Sequence, residues 1–248
     1  MDPALLLLGL ILVLANTVEA VTGFGSTILA LTFAAHLYGI DFLVPVLVPI
    51  NVVLSIYLVA RYHAAIDRRE LLTRILPLAG AGLPIGYALF RVLGTGRLRH
   101  AYGAFVVAIA VFQLARLLAR KNGEADSPRP GLARAAGLLV AGGIMQGIYA
   151  SGGPLVVLYA GRALGDKRAF RSTLSALWLV LNLVLVAGHA VGGTLNLHTL
   201  AASALLLPSL AVGLALGEWL HDRIDERRFR VVVFALLVLA GSSLLLKG

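Results

Sequence analysis

Cysteine is absent from this chain of 248 residues, which excludes disulfides, thiolate metal sites and thiol redox chemistry. Charge is scarce: Asp, Glu, Lys and Arg make up 13% of the residues, and none of the four occurs between Ser172 and Gly217 or between Ala135 and Gly161. Phosphate-binding loops, paired catalytic carboxylates and nucleophile elbows are missing too, which argues against an ATP-driven pump or a hydrolase, and against an enzyme of any kind. The histidines (His36, His63, His100, His189, His198, His221) fall near segment ends without metal-ligand spacing, so neither a metal nor another cofactor is expected.

What remains is apolar. Hydrophobic residues reach 59% and the mean hydropathy is +0.92, against about 45–50% apolar residues in soluble domains. The uncharged runs exceed the roughly 20 residues that cross a bilayer, so the chain is expected to be an all-α polytopic membrane protein with lipid as its main surroundings. A formal charge of +9 would suggest nucleic acid in a soluble protein. Here the cations sit in short clusters between apolar runs, where they set orientation in the membrane, and no nucleic acid is expected. The first apolar stretch ends loosely like a signal-peptide cleavage site at Val18-Glu19-Ala20, but lacks a basic start and recurs in the second half, so it is retained as structure.

Breaks in the apolar pattern give ten segments, at about 3–20, 25–39, 42–60, 71–90, 100–118, 132–148, 153–164, 170–190, 199–220 and 228–246. The stretch 120–131 has linker composition and separates a first repeat, 1–119, from a second, 132–248. Sliding the halves by 127 positions sets Glu19 on Gln146, Gly25 on Gly152, and Gly86-Tyr87-Ala88-Leu89 on Gly213-Leu214-Ala215-Leu216. Cytoplasmic loops at 61–74, 116–134, 162–171 and 222–230 would hold all of the 21 cations except Arg91, Arg97, Arg99 and Lys247. The loop after the third segment is then cytoplasmic in the first half, whereas its counterpart at 188–198 is external and has no Lys or Arg. The repeats are thus expected to be inverted, an arrangement that puts substrate near the midplane between them.

Two glycine-rich breaks are related by that offset: Glu19-Ala20-Val21-Thr22-Gly23-Phe24-Gly25-Ser26-Thr27 and Gln146-Gly147-Ile148-Tyr149-Ala150-Ser151-Gly152-Gly153-Pro154. Each precedes a short apolar segment; Pro154 to Ala163, at 1.5 Å per residue, makes about 15 Å of helix, or half the hydrocarbon thickness. Non-helical backbone at membrane depth belongs where it is buried or lines a wet cavity. Free N–H groups at the two helix starts would bind an anion without a lysine. The alternative is close helix packing through small residues. Candidate substrate contacts are Thr22, Gly23, Phe24, Gly25, Ser26, Thr27, Tyr149, Ser151, Gly152 and Gly153, with Asn51, Trp178 and Asn182 as polar or indole groups inside later segments. For Asn51 and Asn182, hydrogen bonding between helices is an equal alternative. An intramembrane carboxylate is by default functional, so Glu19 is the candidate proton carrier; Gln146, its repeat partner, cannot titrate. At the cytoplasmic end of a fully crossing first helix, Glu19 would instead be an interfacial residue.

The residues Thr22-Gly23-Phe24-Gly25-Ser26 with Ile40-Asp41 and Val44-Pro45, and 142–154 followed by Gly165-Asp166-Lys167-Arg168-Ala169-Phe170-Arg171-Ser172-Thr173, resemble the sulfite exporter TauE/SafE family of membrane permeases over essentially the whole chain. The resemblance implies transport of small anions such as sulfite, sulfoacetate and related sulfonates across the bacterial inner membrane. The expected function is a gradient-driven exporter working by alternating access, of no set oligomeric state; an anion channel and a non-transporting scaffold subunit are the alternatives.

Overall fold

A computed structural model describes residues 3–119, 131–164, 166–221, 223 and 226–247. Gly165 and all of the expected linker except Gly131 lie outside the described residues. The described chain is helical throughout: α1 (Pro3–Thr22), α2 (Ser26–Ala34), α3 (Ile40–Tyr62), α4 (Arg68–Val92), α5 (Thr95–Ala119), α6 (Leu132–Tyr149), α7 (Gly153–Ala163), α8 (Lys167–Val191), α9 (Leu197–His221) and α10 (Glu226–Lys247). These ten correspond to the ten apolar segments. Seven of them (α1, α3, α4, α5, α6, α8 and α9) are long and apolar enough to cross a membrane, and α10 adds an apolar stretch over Val231–Leu246. Leu6, Leu10 and Leu14 of α1 and Leu205, Val212 and Trp219 of α9 are exposed, an apolar exterior suited to lipid.

Local chemistry sets the ends. Asp67 caps α4 by accepting from Glu70 N at 2.9 Å, and Asp166 caps α8 by accepting from Arg168 N and Ala169 N, each at 3.1 Å. Both helices consequently start about three residues earlier than the apolar pattern alone suggests. The fourth helix includes a π-helical turn over Leu71–Ile75. Pro45 and Pro49 sit inside α3, as neighbouring helices in a membrane bundle permit.

Helices α1 and α2 form an antiparallel hairpin, with Ser26 folded back beside Glu19 and Asn16. The pair α6 and α7 does the same, bringing Gly152 back on Gln146. Each hairpin packs on the other half of the chain. Gly82 and Gly86 of α4 lie against Ile144 of α6, while Gly143 and Gly147 of α6 lie against Ala79 and Leu83 of α4. Reciprocally, Gly213 and Gly217 of α9 lie against Asn16, Thr17 and Ala20 of α1. Positions rise together in both pairs, so each pair runs parallel. Gly86 and Gly213, the residues matched by the 127-residue offset, thereby fill the same role in the two pairs. By contrast α3 and α8 run antiparallel, since Tyr62 near the end of one meets Arg171 near the start of the other. Gly103 with Leu245 and Gly241 with Val106 make α5 and α10 antiparallel as well.

A side chain at Gly86 would drive its Cβ into the Ile144 carbonyl, and one at Gly143 into that of Ala79. Backbone cannot yield as a side chain can, so overpacking there should exceed the usual cost of about 1–3 kcal/mol. Gly143→Val is expected to remove most of the monodisperse protein recovered in detergent, as read by size exclusion. Gly80→Val, where nothing lies within 4 Å of the added Cβ, should not. Equal recovery of both variants would refute the close-packing role.

Candidate functional site

The hairpin tips are where the backbone leaves the helix. In the first, Gly23 has φ 81° and Gly25 φ 107°; in the second, Ala150 takes φ 51° as the cap of α6. The left-handed region suits glycine, and alanine accepts it at a cost. These turns bring the starts of α2 and α7 close together, with the Phe24 side chain about 3.5 Å from where a Gly153 Cβ would stand.

Between the tips lies a cavity of about 20 Å³, enough for about one water. Glu19, Phe24, Gly25 and Thr27 line it from the first hairpin, and Gln146, Ser151 and Gly153 from the second. Asn51 of α3 and Trp178 and Asn182 of α8 complete the ring of expected residues, and Ile28, Ala150 and Pro154 add apolar wall. Among the described residues no lysine or arginine lines it.

One kind of hydrogen bond recurs in both hairpins. Ser26 N donates to Glu19 Oε2 at 2.9 Å, and Gly152 N donates to Gln146 Oε1 at 3.0 Å. In each hairpin the side chain of the descending helix thus caps the start of the short one, meeting donors that the helix cannot satisfy itself. Asn51 Nδ2 donates to Thr27 Oγ1 at 2.5 Å, and Asn182 Oδ1 accepts from Gln146 Nε2 at 2.8 Å. The two asparagines therefore both tie central helices to the hairpins and face the cavity. Trp178 Nε1 donates to the Gly23 carbonyl at 3.2 Å, joining the second half to the first tip. Glu19 is 5% exposed, buried inside the protein.

Five expected residues do not line the cavity. Thr22 Oγ1 lies 2.7 Å from Phe24 O and 2.9 Å from Val18 O, within its own turn. Gly23 packs on Arg171, and Ser26 Oγ donates to Asn16 Oδ1 at 2.8 Å. Gly152 supplies the capped N–H and packs against the Gly142 carbonyl. Tyr149 points away: its hydroxyl donates to Leu98 O at 2.9 Å, and its ring lies 4.7 Å from that of Tyr102. Ile28 and Ala150 were missed because aliphatic residues carry no sequence mark of facing a cavity. Pro154, by contrast, was visible as a helix start.

The arrangement offers uncharged donors at two adjacent helix starts, one ionisable carboxylate and an indole, with no nucleophile and base in reach of each other. Over 183 residues the chain is 24% identical to the "Probable inner membrane transporter protein TsaS" of Comamonas testosteroni, covering 73% of this chain and 76% of that protein. No solved structure matches. The profile of the family described as "Sulfite exporter TauE/SafE" matches residues 8–244, nearly the full length of the two hairpins and the helices around them, and the chain belongs to that family of membrane transport proteins.

Proposed function

We propose that this protein is a secondary transporter, an exporter of small sulfur-containing anions such as sulfite, sulfoacetate or related sulfonates, in the bacterial inner membrane. Its two inverted halves, 1–119 and 132–248, joined by 120–131, would rock about the cavity between the hairpin tips. One observation carries the reading: the adjacent starts of α2 and α7, each capped by a repeat-related side chain, line one small cavity. The antiparallel pairing of α3 with α8 and of α5 with α10, beside the reciprocal pairs α4/α6 and α1/α9, is the pattern that a two-fold axis in the membrane plane produces. Helix starts stabilise anions through unpaired N–H groups and the dipole.

The cavity is several-fold too small for a sulfonate, so the hairpins must part to admit one. A centre this narrow favours a carrier over a channel. Glu19 stands beside the place an anion would take, and a carboxylate and a substrate anion there repel each other. Substrate and a proton on Glu19 would therefore bind together. In liposomes, the purified protein is expected to carry radiolabelled sulfite and sulfoacetate with saturable kinetics. No saturable flux of either anion would sink the transporter reading.

A further inference from the structure

A buried arginine in a membrane protein is costly unless its N–H donors find acceptors. By sequence Arg171 falls among the cations of the 162–171 loop, yet the structure buries it, with 6% exposure, near the start of α8. Its Nε and Nη2 are buried without a hydrogen-bond partner. Among the described residues the ion pair found is Arg74 with Glu70, so no carboxylate neutralises Arg171. Its guanidinium carbon stands 4.6 Å from the centre of the Tyr62 ring, a cation–π contact that holds the group's plane but does not use up its N–H donors.

Position gives these free donors a use. The Arg171 stem lies against the first hairpin tip, where a Cβ on Gly23 would stand 3.0 Å from Arg171 Cα and 3.1 Å from its Cγ. Along α8, Arg171, Ser175, Trp178 and Asn182 recur at helical spacing on one face, and all four are buried. Trp178 and Asn182 line the cavity. Arg171 stands two turns before Trp178, about 10 Å at 1.5 Å per residue, toward the end that the cation count assigns to the cytoplasm. The central cavity, by contrast, has no cation and one carboxylate.

We infer that Arg171 is a second anion subsite, a cytoplasmic loading site whose guanidinium fork holds the oxyanion head of the substrate before it passes Trp178 to the central cavity. A planar fork binds sulfonate or sulfite oxygens through two parallel hydrogen bonds. Charge selection is done there by a fixed cation, and release from the centre is eased because the donors there are neutral. Transport through linked weak sites needs binding that is strong enough to load and weak enough to leave. The inference rests on the transport reading above.

Sided flux tests it, using proteoliposomes that present the cytoplasmic or the outer face to radiolabelled sulfite. In Arg171→Gln, half-saturation at the cytoplasmic face should rise about tenfold or more, as loss of charge-assisted hydrogen bonds implies. Half-saturation at the outer face should stay within about twofold, and the ratio of outward to inward maximal rates should rise in step with the cytoplasmic half-saturation, as microscopic reversibility requires. Arg171→Lys keeps the charge and loses the fork, so a smaller rise confined to the cytoplasmic face is expected; this variant decides the matter if Arg171→Gln does not assemble. Unchanged half-saturation, or an equal loss from both faces with either variant, would overturn the subsite and leave the transporter intact. Wild-type protein that carries neither sulfite nor sulfoacetate would overturn the transport reading itself, and the subsite with it.

Discussion

Gly152→Val is expected to reduce sulfoacetate flux about a hundredfold, read per molecule of protein that still inserts. An added Cβ at 152 collides with the Gly142 carbonyl across the second hairpin and comes within 3.0 Å of Gln146 Cβ. Either the hairpin opens or the Gly152 N–H leaves Gln146 Oε1. Both outcomes shift the start of α7 relative to that of α2, and displacements of about 1 Å at a reacting or binding group can cost about 10²-fold. Gly161→Val on the same short helix is the control, because nothing lies within 4 Å of its added Cβ. Flux retained in Gly152→Val would remove the second tip from the site.

Glu19→Gln should abolish the dependence of flux on a pH gradient without unfolding the first hairpin. The second hairpin supplies the reason. Gln146 does there, with an amide oxygen, what Glu19 does for Ser26 N with a carboxylate oxygen, so glutamine is a tested cap in this setting. What the substitution removes is the exchangeable proton and the charge that an incoming anion must face. Sulfoacetate is the probe of choice because its carboxylate, with an ordinary value of about 4, keeps its charge between about pH 6 and 8. Wild-type flux should quicken when the side supplying the anion is acidified, and Glu19→Gln should run at one rate regardless. Equal pH dependence in the two proteins would refute proton coupling through Glu19.

Apolar runs and their breaks made the ten helices legible, since burial in lipid leaves a continuous mark on composition. Glycine at membrane depth marked the hairpin tips for the same reason: Gly23, Gly25 and Gly152 stand where the chain turns or two backbones touch. Side-chain direction was harder to read. Tyr149 and Ser151 are neighbours in the same break, yet Ser151 lines the cavity while Tyr149 reaches Leu98, because Ala150 between them turns into the left-handed region. Nothing about an alanine announces that turn. Arg171 was hidden by its company: Lys167 and Arg168 beside it are exposed, whereas the Gly23 turn after α1 and the Tyr62 ring cover Arg171.

The crosswise packing of the hairpins bears on how the protein is made. Helix α1 leaves the ribosome first, but the glycines that receive it, Gly213 and Gly217, belong to α9, almost two hundred residues later. The second hairpin has no such delay, because α4, its partner, precedes α6 in the chain. During synthesis the face of α1 that bears Asn16, Thr17 and Ala20 must therefore wait in the bilayer until α9 arrives.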